Sequence, residues 1–213
     1  AKQLIPLHVD QTLPTHIFPN FVPIADFLTH PKTDDKFILL LGHPWYLKGV
    51  DILIQAVKML ARPAILHIAG DGPMRTDLEH LCHHLGVKCH FHGHLDAADK
   101  SALIHDCHMA VIPSVETVTG HTEGTPTVFL ELLSHGIPVI ASKIGGLKDL
   151  GRHMKNCILT EPGNPHALMS AITLIEADSA LRNRLIETGF KTANLYDWRH
   201  ITSIIKGKLI NPH

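Results

Sequence analysis

Phe37-Ile38-Leu39-Leu40-Leu41 is an unbroken apolar run, and its reading decides the fold. A strand with one wet face alternates apolar and polar residues. A continuous run predicts a strand covered on both faces, as in a parallel sheet between helices. Working outward, residues 42–49 form a loop, and Val50, Leu53, Ile54, Val57 and Leu60 recur at helical spacing. Residues 64–69 read as a second strand, and Gly70-Asp71-Gly72-Pro73 turns the chain into a helix ending near Leu85-Gly86. A third strand (88–92), a third helix (97–106) and a fourth strand (109–113) follow. After a long loop and another helix come a fifth strand (137–141) and a short sixth (157–160). Helical periodicity dominates at 165–176, 179–194 and 198–209. This alternation predicts an α/β fold: a doubly wound parallel sheet, Rossmann-like, with C-terminal helices.

Before this frame, prolines at 6, 14, 19, 23 and 31 leave residues 1–35 irregular, with a short strand and turn at Ile17-Phe18-Pro19-Asn20. In a doubly wound sheet of order 3-2-1-4-5-6, a ligand lies where strand order reverses, between the first and fourth strands. The loops there are 42–49 and 114–125. The first ends in Lys48-Gly49, where a lysine can reach a phosphate and glycine allows close backbone approach. The second holds Glu116 and His121, either of which can touch a ligand or simply face water.

The second loop enters Glu123-Gly124-Thr125-Pro126-Thr127-Val128-Phe129-Leu130-Glu131. Thr125 suits a helix N-cap, Pro126 the first helical position, and His135-Gly136 a C-terminal stop. Unpaired amides at such a helix start accept a phosphate-like anion. A carboxylate on each side, Glu123 before the helix and Glu131 inside it, suits a ligand with hydroxyls on both sides of a phosphate, such as a nucleoside diphosphate sugar. A capped helix with two solvent-facing glutamates is the plain alternative.

The 213-residue chain is 45% hydrophobic and 18% charged, with a formal net charge of -1. It can build a sizeable core, and it lacks the basic excess of a protein that binds nucleic acid by neutralising phosphates. No apolar run has the length of a membrane span. Cys82, Cys89, Cys107 and Cys157 show no C-x-x-C spacing and are expected to be reduced thiols in a cytoplasmic protein. Neither a dinucleotide-binding G-x-G-x-x-G nor a P-loop is present. Histidine is abundant at 19, and His80, His83, His84, His90, His92 and His94 crowd together with Cys82 and Cys89. Their spacing lacks the paired ligands of a zinc site, so no metal is expected.

Several ordered motifs resemble one family. They are Ile17-Phe18-Pro19-Asn20, Gly42 with Lys48-Gly49, Gly70-Asp71-Gly72-Pro73, Phe91-His92-Gly93 and Ala110-Val111-Ile112-Pro113-Ser114. Glu123 and Glu131 with seven residues between them, the following His135-Gly136-Ile137-Pro138-Val139-Ile140-Ala141, and Gly145-Gly146 complete the set. Together they resemble the C-terminal, donor-binding half of a family-4 glycosyltransferase of the two-domain GT-B type. The resemblance implies transfer of a sugar from a nucleoside diphosphate sugar, with retention of configuration and no cofactor or metal. Glu123 then contacts the sugar hydroxyls and Glu131 the ribose. Lys48, Gly42, His43 and the amides of Thr127 and Val128 bind the diphosphate, while Leu95 and Lys100 surround the base. Glu123 and Lys48 would be the catalytic pair.

Two departures stand out. His43 replaces the family's arginine, whose guanidinium fork holds phosphate more firmly than an imidazole. Pro126 offers no N–H where relatives carry Gly-Phe-Gly. The resemblance also assigns residues 17–213 to the donor domain. Residues 1–16 become a linker or the tail of an N-terminal acceptor domain that is absent from the sequence and through which a membrane surface could be touched. On this view the chain alone binds a nucleotide sugar without transferring it. The competing expectations are a non-catalytic nucleotide-sugar-binding module, or half-enzyme needing a separate acceptor subunit, and a nucleotide-sugar epimerase. The epimerase would need acid and base groups facing the sugar.

Overall fold

The computed structural model describes residues 20–24, 37–42, 46–116 and 127–210. Six strands form one sheet: β1 (Phe37–Leu41), β2 (Ile65–Ala69), β3 (Cys89–Gly93), β4 (Met109–Ile112), β5 (Val139–Ser142) and β6 (Ile158–Thr160). Every pairing is parallel, and the order is β3-β2-β1-β4-β5-β6. The helices are α1 (Val50–Lys58), α2 (Arg75–Leu85), α3 (Ala97–Asp106), α4 (Thr127–Ser134), α5 (Leu147–Leu150), α6 (Pro165–Ala177), α7 (Ser179–Asn194) and α8 (Trp198–Ile210).

All of β1 is buried, as its apolar run requires. Its side chains divide between two cores because successive residues point to opposite faces. Ile38 and Leu40 join Val50, Leu53 and Ile54 of α1, Leu78 of α2 and Ile172 of α6. Phe37, Leu39 and Leu41 join Ile104 of α3 and Phe129, Leu130 and Leu133 of α4. Gly189 lets α7 pack flush on α4, since a Cβ there would lie 2.8 Å from the Leu133 side chain.

Local chemistry sets the helix ends. Asp96, Asn164 and Asp178 accept hydrogen bonds from Asp99 N, Ala167 N and Leu181 N at the starts of α3, α6 and α7. At the end of α4, the Gly136 and Ile137 amides donate to the Leu133 and Leu132 carbonyls, so His135-Gly136 stops the helix as its composition suggests. That turn also consumes Ile137, and β5 starts two residues later than the apolar run at 137–141 suggests. The four-residue α5 has too short a period to be read from sequence. The predicted turn at residues 17–20 falls mostly outside the described residues. Next to it, Val22 pairs with the α7–α8 junction: its amide donates to Tyr196 O and its carbonyl accepts from Trp198 N.

One expectation is corrected. Cys82 in α2 and Cys89 at the start of β3 form a disulfide, not a pair of free thiols. Gly86 ends α2 in the left-handed region, and Val87 N donates to Cys82 O. The chain therefore folds straight back, bringing the two α-carbons to 6.4 Å, within disulfide reach. Cys107 and Cys157 are free and buried.

Candidate functional site: the crevice between the first and fourth strands

The observed strand order puts the reversal between β1 and β4, where the loops after these strands meet. Val115 N donates to Leu47 O at 2.9 Å, tying the two loops together. Gly49 starts α1 at φ 58°, directly against the Pro113 carbonyl. Lys48, in a 3-10 turn at Tyr46–Lys48, lays its side chain across Gly42. A Cβ at Gly42 would lie 3.3 Å from Lys48 Cε and 3.4 Å from Nζ, so this glycine leaves room for the lysine. Gly42 N donates to Ala69 O and Gly70 N to Gly93 O, which links the carboxyl ends of β1, β2 and β3.

The second wall is α4. Its described part starts at Thr127 and Val128. Glu131 lies one turn further on and is partly exposed. Its carboxylate meets Lys100 of α3, with Nζ 2.6 Å from Oε1. Leu95, between β3 and α3, packs half-buried against the core on this side of the sheet. The structure thus brings Gly42, Lys48 and Gly49 together at one wall, and Glu131 and Lys100 together at the other. His43, His121 and Glu123, as well as Thr125 and Pro126, lie outside the described residues, while Glu116 lies exposed at the mouth of the β4 loop.

The histidines regroup in a way that their sequence crowding does not suggest. His90 and His92 lie on β3, but His94 lies beyond its end. Their third partner is His67 of β2, whose Nδ1 is 3.0 Å from His92 Nε2 and whose ring centre is 4.9 Å from that of His90. Phe37 stacks on His67 at 4.1 Å. Burial, then the neighbouring His92 and His90, lower the His67 pKa to about 4; burial and His90 also lower that of His92. Among the described residues, no three or more His, Cys, Asp or Glu side chains are arranged to hold a metal ion. No helix among them is long and apolar enough to cross a membrane.

Residues 25–192 match the family model of the glycosyl transferases group 1. The chain belongs to this family. This member is 35% identical over 175 residues to an uncharacterised glycosyltransferase of Methanocaldococcus jannaschii, covering 80% of the chain and 43% of that protein. The chain therefore spans less than half the length of this relative. Its fold matches the sucrose-phosphate synthase of Thermosynechococcus elongatus with a TM-score of 0.79, at 23% identity over 92% of the chain and 52% of that structure. It also matches Anabaena HepE, solved in complex with UDP, with a TM-score of 0.75 at 23% identity, over 83% of the chain and 49% of that structure. The Rossmann-like sheet expected from residues 37–160 is thus the fold found in GT-B glycosyltransferase structures.

Proposed function

We propose that this group 1 chain is the donor-binding half of a retaining, family-4 glycosyltransferase. The observation that supports it is Lys48 folded over Gly42 at the reversal between β1 and β4, with α4, which carries Glu131, following β4 in the chain. The diphosphate of a nucleoside diphosphate sugar sits between Lys48 and the amides of Thr127 and Val128, with Gly42 and His43 beside it. Glu131 accepts the ribose hydroxyls, and Leu95 and Lys100 line the base side. Glu123, ahead of α4, takes the hydroxyls of the transferred sugar.

As the bond from the sugar to the diphosphate lengthens, negative charge grows on the leaving oxygens. A lysine and a helix start aimed at those oxygens offset it, which is electrostatic stabilisation of the transition state without a metal. HepE, whose structure holds UDP, supports a nucleotide as the ligand class. Because the chain spans 43% of its M. jannaschii relative, the acceptor site is assigned to a second domain, and this chain alone to donor binding without transfer. A cytoplasmic setting suits a nucleotide-sugar donor. The Cys82–Cys89 disulfide is the observation that counts against that setting.

Calorimetry with UDP, GDP and ADP tests this reading. At least one nucleotide should bind, and Glu131→Ala should weaken it because the ribose hydroxyls lose their acceptor. Glu123→Ala should weaken only sugar-bearing ligands. If no nucleotide bound at millimolar concentration, the donor-site assignment would be wrong.

A further inference from the structure

We propose that Lys100 is a positioning residue: its ammonium holds the Glu131 carboxylate in the orientation that receives the ribose hydroxyls. This rests on the donor-site reading and changes the role of Lys100 within it. Lys100 lies in the first turn of α3, and Glu131 in the second turn of α4, on separate crossovers of the sheet. Yet Nζ and Oε1 are 2.6 Å apart, with the lysine side chain 39% and the glutamate 27% exposed. Among the described residues, Lys100 is the side-chain partner of the Glu131 carboxylate.

An ion pair this open to water adds little to stability, so stability alone does not account for so short a contact. Its geometric effect is larger. A glutamate has three side-chain torsions, and a ligand that needs one arrangement must otherwise freeze them on binding. Lys100 does this in advance by taking Oε1. Oε2, and the free lone pairs of Oε1, remain available as acceptors for hydroxyls. Four residues of helix separate Glu131 from Thr127, a rise of about 6 Å. That matches the span from the ribose hydroxyls to the diphosphate within one nucleotide. An ammonium committed to Glu131 is also a poorer direct partner for a base, because one of its three N–H donors is already used.

The test compares UDP, GDP and ADP with their 2′,3′-dideoxy counterparts by calorimetry, on the wild-type chain and on Lys100→Met, Lys100→Arg and Glu131→Gln. Thermal melting is measured alongside to show that each variant is folded. Wild type should prefer at least one ribonucleotide over its dideoxy form by about tenfold, the size of one good hydrogen-bonded contact. Glu131→Gln should remove most of this preference. Lys100→Met should lower it several-fold while leaving dideoxy affinity within about twofold, and Lys100→Arg should restore it. A Lys100→Met chain that keeps the full ribose preference overturns the proposal. So does one that loses affinity equally for both forms, which would make Lys100 a direct base or phosphate contact. These outcomes leave the donor-site reading intact. Absence of binding or of ribose preference in wild type removes that reading, and the proposal with it.

Discussion

A Cβ added at Gly49 would lie 2.1 Å from the carbonyl oxygen of Pro113, far inside van der Waals contact. This contact locks the loop after β1 against the loop after β4 and so builds the floor of the crevice. Gly49 also has φ 58°, which an alanine adopts only with strain. Gly49→Ala is therefore expected to cost about 3 kcal/mol or more, combining backbone strain with a clash that must move the β4 loop. Gly163 has φ 69° but nothing near its would-be Cβ, so Gly163→Ala should cost only about 1 kcal/mol. Urea unfolding of the two variants separates clash from conformation; equal losses would show that the Pro113 contact is unimportant.

Asn156 is fully buried, and three groups depend on it. Its Oδ1 accepts from Arg152 N at 2.7 Å, and its Nδ2 donates to Leu150 O and Thr192 Oγ1. Asn156→Ala would leave the Arg152 amide and the Leu150 carbonyl without their side-chain partner, at about 1–3 kcal/mol each. Thr192→Val removes the Asn156 bond to α7 and the Thr192 hydroxyl's own bond to Thr188 O, leaves the Arg152 and Leu150 contacts in place, and should cost about 1–2 kcal/mol. A small effect of Asn156→Ala in chemical denaturation would mean that water replaces the side chain.

The imidazoles of His67 and His92 make stability depend on pH. The 3.0 Å contact between His67 Nδ1 and His92 Nε2 requires one donor and one acceptor, so the pair cannot be fully protonated. His67 has its pKa lowered to about 4 in the folded chain, first by burial and then by His92 and His90. The unfolded chain, with an ordinary value near 6.5, binds more protons between these two pH values. Stability is thus complete above about pH 6.5 and declines as pH falls toward 4. His108, whose Nδ1 receives the Phe37 amide, meets the Phe37 ring edge-on at 6.5 Å, and no carboxylate acts on His67 among the described residues. His67→Phe should flatten the thermal midpoint between pH 7 and 4.5. An unchanged slope would place the acid sensitivity elsewhere.

Cysteine chemistry separates the two cysteine pairs. Cys107 and Cys157 are buried, and burial raises both thiol pKa values, that of Cys157 to about 12. A buried thiol kept from ionising is a poor nucleophile. The folded chain should therefore resist alkylation at every cysteine. Unfolding without reductant should expose two thiols, and unfolding with reductant four. Four thiols without reductant would show that Cys82 and Cys89 are not bonded in solution.

Much of the fold was legible because each element announced itself locally. The apolar run of β1 predicted a doubly covered strand, and His135-Gly136 predicted the end of α4. The switch-point argument placed the 42–49 and 114–125 loops side by side, and the Leu47–Val115 hydrogen bond joins them. Lys100 was legible only as a residue near the base, because nothing in its own segment points to α4. His67 stands outside the crowded stretch at 80–94, with no histidine near it in sequence, although it is the centre of the cluster. The disulfide was missed because cysteine spacing says nothing about a chain that reverses at Gly86.

The sequence by itself determined the six strands, every helix but α5, their alternation and, for the strand order 3-2-1-4-5-6, a crevice between β1 and β4. These follow from side-chain periodicity and turn chemistry, which act within a few neighbouring residues. Only the tertiary structure decided which side chains meet across it: Gly49 on Pro113, Lys100 on Glu131, His67 on His92. Such meetings depend on strand register and on how helices from different crossovers pack on a twisted sheet. No local pattern carries that information, because it is the joint result of the whole core closing.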